Sequence, residues 1–485
     1  MRFYLGLATT FHDPALALVG PDGTLLFAEA AERFLQYKRA PNCEPDAPAR
    51  MASLLKDHVP PGSELVVAST WGPQFTEFPR GQAGAGAFDL MALAAHTTAL
   101  NRSFVPEQAE RVFIADLHGA QERAGHGTLL ALNQEARITG APPRATIAGQ
   151  RRYPHHLCHA AYGLWGSPFD DATALVVDGM GETGAAAIYR LEAGRVTELR
   201  RHRGRGSLGF LYGLITDLAG FDQVKGEEWK IMGLAPYGQP DPDLAALLGR
   251  LCTVEGHRLR YADAETIRAV AAEIRARRPA DALETGWADL ARCGQDLFGT
   301  LMDALVAEAH ALAPSDNLVI AGGCGLNSSY NGRVLGRSGF TRLHVPSAPA
   351  DDGNAVGAAW LAYAEDHPDW AGPPPERDDP TLSRPAPEPA LSLVVLVLDG
   401  GRGNHQIIGR QCRTGRTDIG DVGAYEIGND LPAVIGAHEV DRPAASRREL
   451  KARRIEIRVI RGGHFGNIQR HIGEGTVLPH IDVEF

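Results

Sequence analysis

The chain has 485 residues, which at roughly 150 residues per domain corresponds to about three domain-sized units. Apolar residues make up 44% and charged residues 22%, a globular balance that excludes disordered and fibrous classes. Lys and Arg total 48 against 59 Asp and Glu, and the net charge of −11 argues against a coat for nucleic acid or an anionic membrane.

The first thirty residues read as strand, loop, strand, turn, strand. Phe3 to Ala8 is apolar, Thr9 to Pro14 polar, and Ala15 to Val19 apolar again. Pro21-Asp22-Gly23 is a hairpin turn, Thr24 to Ala30 resumes the strand, and a helical Ala-Glu-Arg-Phe stretch follows. His12-Asp13-Pro14 interrupts the N-terminal segment before a signal-peptide apolar region develops. Apolar runs such as Leu393 to Leu398 fall far short of the ~20 residues of a membrane helix. The six cysteines show no CxxC pair and read as reduced thiols. A cytoplasmic protein without a membrane partner is expected.

Ala85 to Gly140 carries helical spacing and predicts an inserted helical segment. The opening grammar then returns. Ala172 to Val177 is a strand, 178–184 a polar loop, Ala185 to Arg190 a second strand, and Val196 to Leu199 a third after a Glu-Ala-Gly turn. A repeat with a period near 170 is too long for a solenoid and suits a duplicated domain with a cleft between two lobes. Glu265 to Ala313 predicts further helix, Leu318 to Ala321 a buried strand, and Ala355 to Glu365 a helix of small residues. The expected boundaries are a domain over 1–365 with halves near 1–150 and 151–365, a Pro-rich linker over 366–390, and a compositionally different segment over 391–485.

Tyr153-Pro154-His155-His156-Leu157-Cys158-His159 carries the sharpest chemistry. A helix starting after Pro154 places His155 and His159 on one face, one turn apart, which is ligand geometry for a divalent metal. Asp178 ends a buried strand and offers a third donor, and Asp351, in a loop entering a helix, a fourth. Two imidazoles with carboxylates suit Fe(II), Mn or Zn, with Fe(II) favoured. The alternative is that these histidines merely cap and pack a helix.

Glycines at Gly322, Gly323 and Gly325, leading to Asn327, and the matching Gly179 and Gly181, would let backbone amides approach a phosphate; a tight strand-to-helix turn, which also needs glycines, is the even alternative. Lys230, in a glycine-punctuated segment, would pair a phosphate or an acyl phosphate; a solvated surface lysine is the even alternative. His12 and Lys38 would supply acid–base and anion contacts opposite the metal, against the alternative, favoured without context, that each is structural.

Five pieces in order carry a family resemblance: Phe11-His12-Asp13; Ala31-Glu32-Arg33-Phe34 with Lys38; His155 to Ala161; Lys230 to Gly238; and Ala321 to Asn327. Together they resemble the NodU/CmcH-type O-carbamoyltransferases over roughly Arg2 to Ala364. The resemblance implies an α/β, duplicated actin-like (ASKHA, RNase H-like) two-lobed domain. It implies an iron-type metal held by His155, His159, Asp178 and Asp351. It further implies that carbamoyl phosphate and ATP give carbamoyl-adenylate in a second domain, and that the carbamoyl group then passes to a hydroxyl of a small, sugar-like or antibiotic-like metabolite. His12 and Lys38 would then deprotonate the acceptor or stabilise leaving AMP, and the glycine loops would hold the nucleotide. Antibiotic or other secondary metabolism is the expected setting, and a homodimer the expected assembly. Gly-Pro-Arg-Ala-Leu-Gly and Arg-Pro-Phe-Ala-Pro stretches of the family's second domain do not occur after Leu391, so 391–485 reads as degenerate, truncated or out of frame. Rival readings are a tRNA threonylcarbamoyl-transferase relative, a phosphotransferase on the same fold, and a non-catalytic metal- and nucleotide-binding remnant.

Overall fold

The computed structural model describes residues 1–9, 11–72, 106–204, 206–255, 258–277 and 287–373, together with the backbones of six strands beyond residue 391. Met1–Pro375 forms one compact unit and Glu376–Phe485 a second.

In the first unit, β1 (Arg2–Ala8), β2 (Ala15–Val19) and β3 (Leu25–Ala30) form an antiparallel meander. β4 (Ser63–Thr70) lies parallel to β1, and β5 (Ala145–Tyr153) parallel to β4. The sheet order is β3-β2-β1-β4-β5. β1 from Phe3 onward and all of β2 are buried, which explains why both read as continuous apolar runs rather than as alternation: both faces of the sheet are covered.

The same plan recurs. β6 (Ala172–Val177), β7 (Ala186–Glu192) and β8 (Arg195–His202) form a second meander. β9 (Cys252–Glu255) and β10 (Arg258–Tyr261) make a separate hairpin. β11 (Asn317–Ala321) then lies parallel to β6, and β12 (Arg342–His344) parallel to β11, giving β12-β11-β6-β7-β8. Counted from the first strand of each copy, both sheets have the order 3-2-1-4-5. This repeated topology is the duplicated actin-like α/β fold that the period near 170 suggests.

Two helices join the copies. The histidine helix (His155–Trp165) packs on the second sheet, and the closing helix (Asn354–Asp366) packs on the first sheet and on the histidine helix. The contacts leave no room for side chains. A Cβ at Gly6 of β1 would overlap the carbonyl oxygen of Ala355, and one at Gly357 would overlap that of Cys158. Tyr4, Ala17 and Val66 of the first copy therefore share one core with Cys158, Ala174, Tyr189 and Ala358.

The anticipated helical insert appears as helices Pro106–Arg123 and His126–Thr139; residues 85–105 lie outside the described residues. The Glu265 to Ala313 stretch holds helices Ala264–Ala276 and Ala288–Leu312, with 278–286 between them also outside. Of the expected linker over 366–390, residues 366–373 are described, with Trp370 packed against the core, and 374–390 lie outside as well.

The second unit, whose sequence reads as degenerate, truncated or out of frame, carries six backbone strands. β13 (Ser392–Gly400), β14 (Asn404–Cys412) and β15 (Gly420–Ile427) form one antiparallel sheet. β16 (Val434–His438), β17 (Arg453–Arg461) and β18 (His464–Ile472) form another. A signal for β17 was available in the alternation Ile455-Glu456-Ile457-Arg458-Val459, which has the period of a strand.

Candidate metal centre and its surroundings

The histidine helix begins without a side-chain cap from Pro154. Glu182, from the β6–β7 loop, supplies the acceptor instead: its Oε1 accepts from the amides of His155 at 2.8 Å and Gly72 at 2.9 Å. A carboxylate at a helix N-terminus satisfies an otherwise orphaned donor and complements the helix dipole. The first turn is thereby tied to both copies of the fold.

One turn separates His155 from His159, and both imidazoles point the same way. Their Nε2 atoms lie 3.2 Å apart. Asp178, just beyond β6, brings Oδ2 to 2.9 Å from His155 Nε2 and 3.5 Å from His159 Nε2. Asp351, beside the closing helix, brings Oδ1 to 3.3 and 3.4 Å from the same two atoms. One donor atom from each residue falls within 4.8 Å of all the others, and all four residues are buried. Donors held about 2.1 Å from a first-row divalent ion at near right angles sit about 3 Å apart, so the spacing fits such an ion.

The electrostatics point the same way. Burial opposes charge on His155, yet the Asp351 and Asp178 carboxylates override it and push the imidazole well above its usual range. Burial would likewise raise the carboxyl of Asp178, but the two histidines hold it well below the usual carboxylate range; His155 does the same for Asp351. Two carboxylates so close together in a dry site call for positive charge between them, which a divalent cation provides. Asp178 is fixed from behind by the amide of Gly323, which donates to Oδ1 at 3.0 Å. The Trp71 indole stacks on His155 with centroids 4.6 Å apart and planes 27° apart.

The remaining candidates sit differently. His12 is partly exposed, with Nδ1 2.8 Å from Asp13 Oδ2. Arg39 Nε is 3.4 Å from the same oxygen, and its guanidinium donates to the Gln223 carbonyl at 3.1 Å. Lys38 is exposed. Glu228 is electrostatically linked to Arg39, His12 and Asp13, and burial raises its carboxyl. Six of the seven described non-glycine residues with positive φ lie between Asp13 and Trp71, concentrating backbone strain beside the first loop.

Lys230 pairs with Glu227 at 2.8 Å and lies over the Phe221 ring at 5.0 Å, so its charge is engaged within the protein. The expected phosphate cradle takes another form. The amide of Gly322 donates to the Pro349 carbonyl, that of Gly323 to Asp178, that of Gly325 to the Gly322 carbonyl and that of Gly181 to the Gly184 carbonyl. Gly179 packs against Phe210. Asn327 is buried, accepts from the amide of Tyr330 as a helix cap and exchanges side-chain hydrogen bonds with Gln295. Gly323 thus braces the carboxylate of Asp178, while the other residues hold the turns and the helix cap around it. Sequence reasoning missed Trp71, Glu182, Arg39 and Asn354. Glu182 and Asn354 did stand within or beside the quoted loops, whereas nothing local marks Trp71.

Residues 144–360, a span that contains all four clustered side chains, match the family model described as "Carbamoyltransferase N-terminus". Over that span the chain is similar to a carbamoyltransferase N-terminal domain. An uncharacterized protein of Synechocystis sp. is 32% identical over 227 residues, covering 44% of this chain and 36% of that protein. The nodulation protein NolNO of Sinorhizobium fredii is 29% identical over 213 residues, covering 44% and 31%. The chain therefore spans about a third of the length of these relatives. Among solved structures, HypF of T. kodakarensis aligns with 12% identity and a TM-score of 0.39 over 75% of this chain and 48% of that one. Among the described residues, no helix of this chain is long and apolar enough to cross a membrane.

Proposed function

We propose that this protein is an O-carbamoyltransferase that moves a carbamoyl group from carbamoyl-adenylate to a hydroxyl of a small metabolite, with a divalent ion, Fe(II) in preference to Mn or Zn, at His155, His159, Asp178 and Asp351. The observation that carries this reading is the convergence of those four buried side chains inside the carbamoyltransferase domain. When bound, the ion supplies Lewis acidity that polarises a carbonyl oxygen.

The chain's own residues divide the rest of the work. Asp178 and Asp351 neutralise the ion, and the Gly323 amide keeps the Asp178 carboxylate aimed at it. Trp71 covers one face of His155 and keeps water from it. The acceptor oxygen attacks the carbamoyl carbon, the bond from that carbon to the phosphate oxygen breaks, and AMP leaves. His12, whose Nδ1 is held by Asp13, takes the hydroxyl proton at Nε2. Lys38 offsets the charge of the departing phosphate. Carbamoyl phosphate and ATP are the ultimate donors, and formation of the adenylate is assigned to a separate activity, in residues 391–485 or in a partner protein.

Two parallel assays on purified protein of measured metal content test the proposal. One supplies ATP and carbamoyl phosphate and follows pyrophosphate; the other supplies synthetic carbamoyl-adenylate with a mixture of sugars and polyols and follows AMP and carbamoylated product. Metal-dependent turnover of the adenylate supports the reading, and pyrophosphate release would place adenylation in this chain. Bound metal without turnover in either assay overturns the transfer reading in favour of a non-catalytic remnant.

A further inference from the structure

We infer that Asn354 is a positioning residue for the metal centre: its side-chain oxygen accepts the Nδ1 proton of His155 when Nε2 of that ring is a ligand. The inference rests on the metal reading proposed above and extends it beyond the four donors.

Asn354 is the first residue of the closing helix, three positions after Asp351, and is fully buried. Its amide reaches both histidines. The atom placed as Nδ2 is 3.4 Å from His155 Nδ1 and 3.1 Å from His159 Nε2. Oδ1 has no hydrogen-bond partner among the described residues. With Nδ2 toward the ring, that orientation suits only an Nδ1 that carries no proton.

Coordination reverses the ring. The four-donor cluster uses His155 Nε2, so a bound ion displaces the proton from that nitrogen and His155 must carry its proton on Nδ1. An amide N–H facing Nδ1–H would set donor against donor in a dry site. A half-turn of the carboxamide exchanges oxygen and nitrogen with almost no movement of atoms and presents Oδ1 to the Nδ1 proton. The proton is acidified by the ion, so the resulting bond is a strong one, and it fixes both tautomer and ring plane. Asp351 and Asn354 thus act as a pair from one short segment, one binding the ion and the other orienting a ligand on the opposite helix.

The test uses the full chain and Zn(II) as the probe, with affinity measured by competition against a chromophoric chelator. Asn354→Leu removes both donor and acceptor at similar volume, and Asn354→Asp retains only acceptors. Affinity about 10–100-fold weaker in Asn354→Leu, restored to the wild-type level or above in Asn354→Asp, is the expected result. Asn354→Asp as weak as Asn354→Leu would mean that the amide acts as a donor, and wild-type affinity in both variants would mean that it does not orient the ligand; either overturns the inference. Long-range proton–nitrogen NMR of the zinc-loaded wild type, labelled at histidine, needs no variant. A proton on His155 Nδ1 with a hydrogen-bonded shift is expected, and one on Nε2 overturns the inference. A wild-type protein that binds no zinc at all removes the underlying metal reading, a failure distinct from the others.

Discussion

The two copies of the fold share a strand order, yet the loops after their first strands are built in opposite ways. After β6 the chain is locked: Asp178 is buried, its carboxylate is held by two histidines and the Gly323 amide, and Glu182 caps the histidine helix. After β1 the chain is half open, with His12 and Asp13 partly exposed, left-handed backbone at Asp13 and, in the segment after β3 that bonds to this loop, at Gln36, Arg39, Ala40 and Asn42. Duplication supplies two equivalent strand ends, and burial decides what each can do. A dry, rigid end suits a fixed ion. A strained end near solvent suits groups that meet a substrate and exchange protons.

The largest expected effect comes from breaking the locked end. Asp178→Ala should bring metal content to background and lower adenylate turnover by at least ~10³-fold, as several kcal/mol of charge stabilisation is lost. Breaking the open end should look different. His12→Ala should lower turnover by ~10²-fold or more while bound metal, read by atomic absorption, stays at the wild-type level. Loss of metal in His12→Ala would show that the two ends do not divide the work in this way.

Gly6→Val strains the junction between the copies, where a side chain would run into the Ala355 carbonyl at the start of the closing helix. Denaturant unfolding should show a loss of about 2–3 kcal/mol, with weaker zinc binding because Asp351 and Asn354 move with that helix.

A pH experiment sharpens the picture of the second copy away from the metal. Burial pushes the Asp217 carboxyl up to about 7, against hydrogen bonds from Gln223 that favour its charged form. A raised native value means the folded state binds a proton that the unfolded chain releases, so stability falls as pH climbs from about 4 to 7. Asp217→Asn should therefore gain stability relative to the wild type over that window, by about 1–3 kcal/mol near neutrality, and show little gain at pH 4. The smallest effect is expected at Ser207, whose hydroxyl accepts from the amide of Phe210 at 3.1 Å and donates to the Asp178 carbonyl at 3.2 Å. Ser207→Ala should cost about 1 kcal/mol by thermal unfolding, with metal affinity nearly unchanged.

Much of the framework was legible because it is local. The meanders show in runs of apolar residues broken by turns, and the spacing of His155 and His159 needs only helix geometry. Asp178 and Asp351 stood out as carboxylates at the ends of buried elements. What escaped depends on distant chain segments. Trp71 lies far from His155 in sequence and reaches it only because β4 and β5 pair in parallel across the first sheet. For the glycines of Gly322–Gly325 the sequence leaves both readings open, because a tight turn and an anion cradle need the same residue. Their amides find acceptors in Pro349 and Asp178, which no local pattern announces. Asn354 was hidden for a third reason: its role depends on which nitrogen of a neighbouring ring carries a proton.

The wide separation of the four donors along the chain also has a consequence in time. Asp351 follows Asp178 by 173 residues. At 5–20 residues per second a ribosome needs about 10–35 s to cover that distance. Throughout this interval both histidines and the first carboxylate have been made, while the segment that completes the set and roofs it over has not. Under the metal reading proposed above, the nascent chain can present at most three of the four donors throughout this interval, and the fourth only once Asp351 and the closing helix are made.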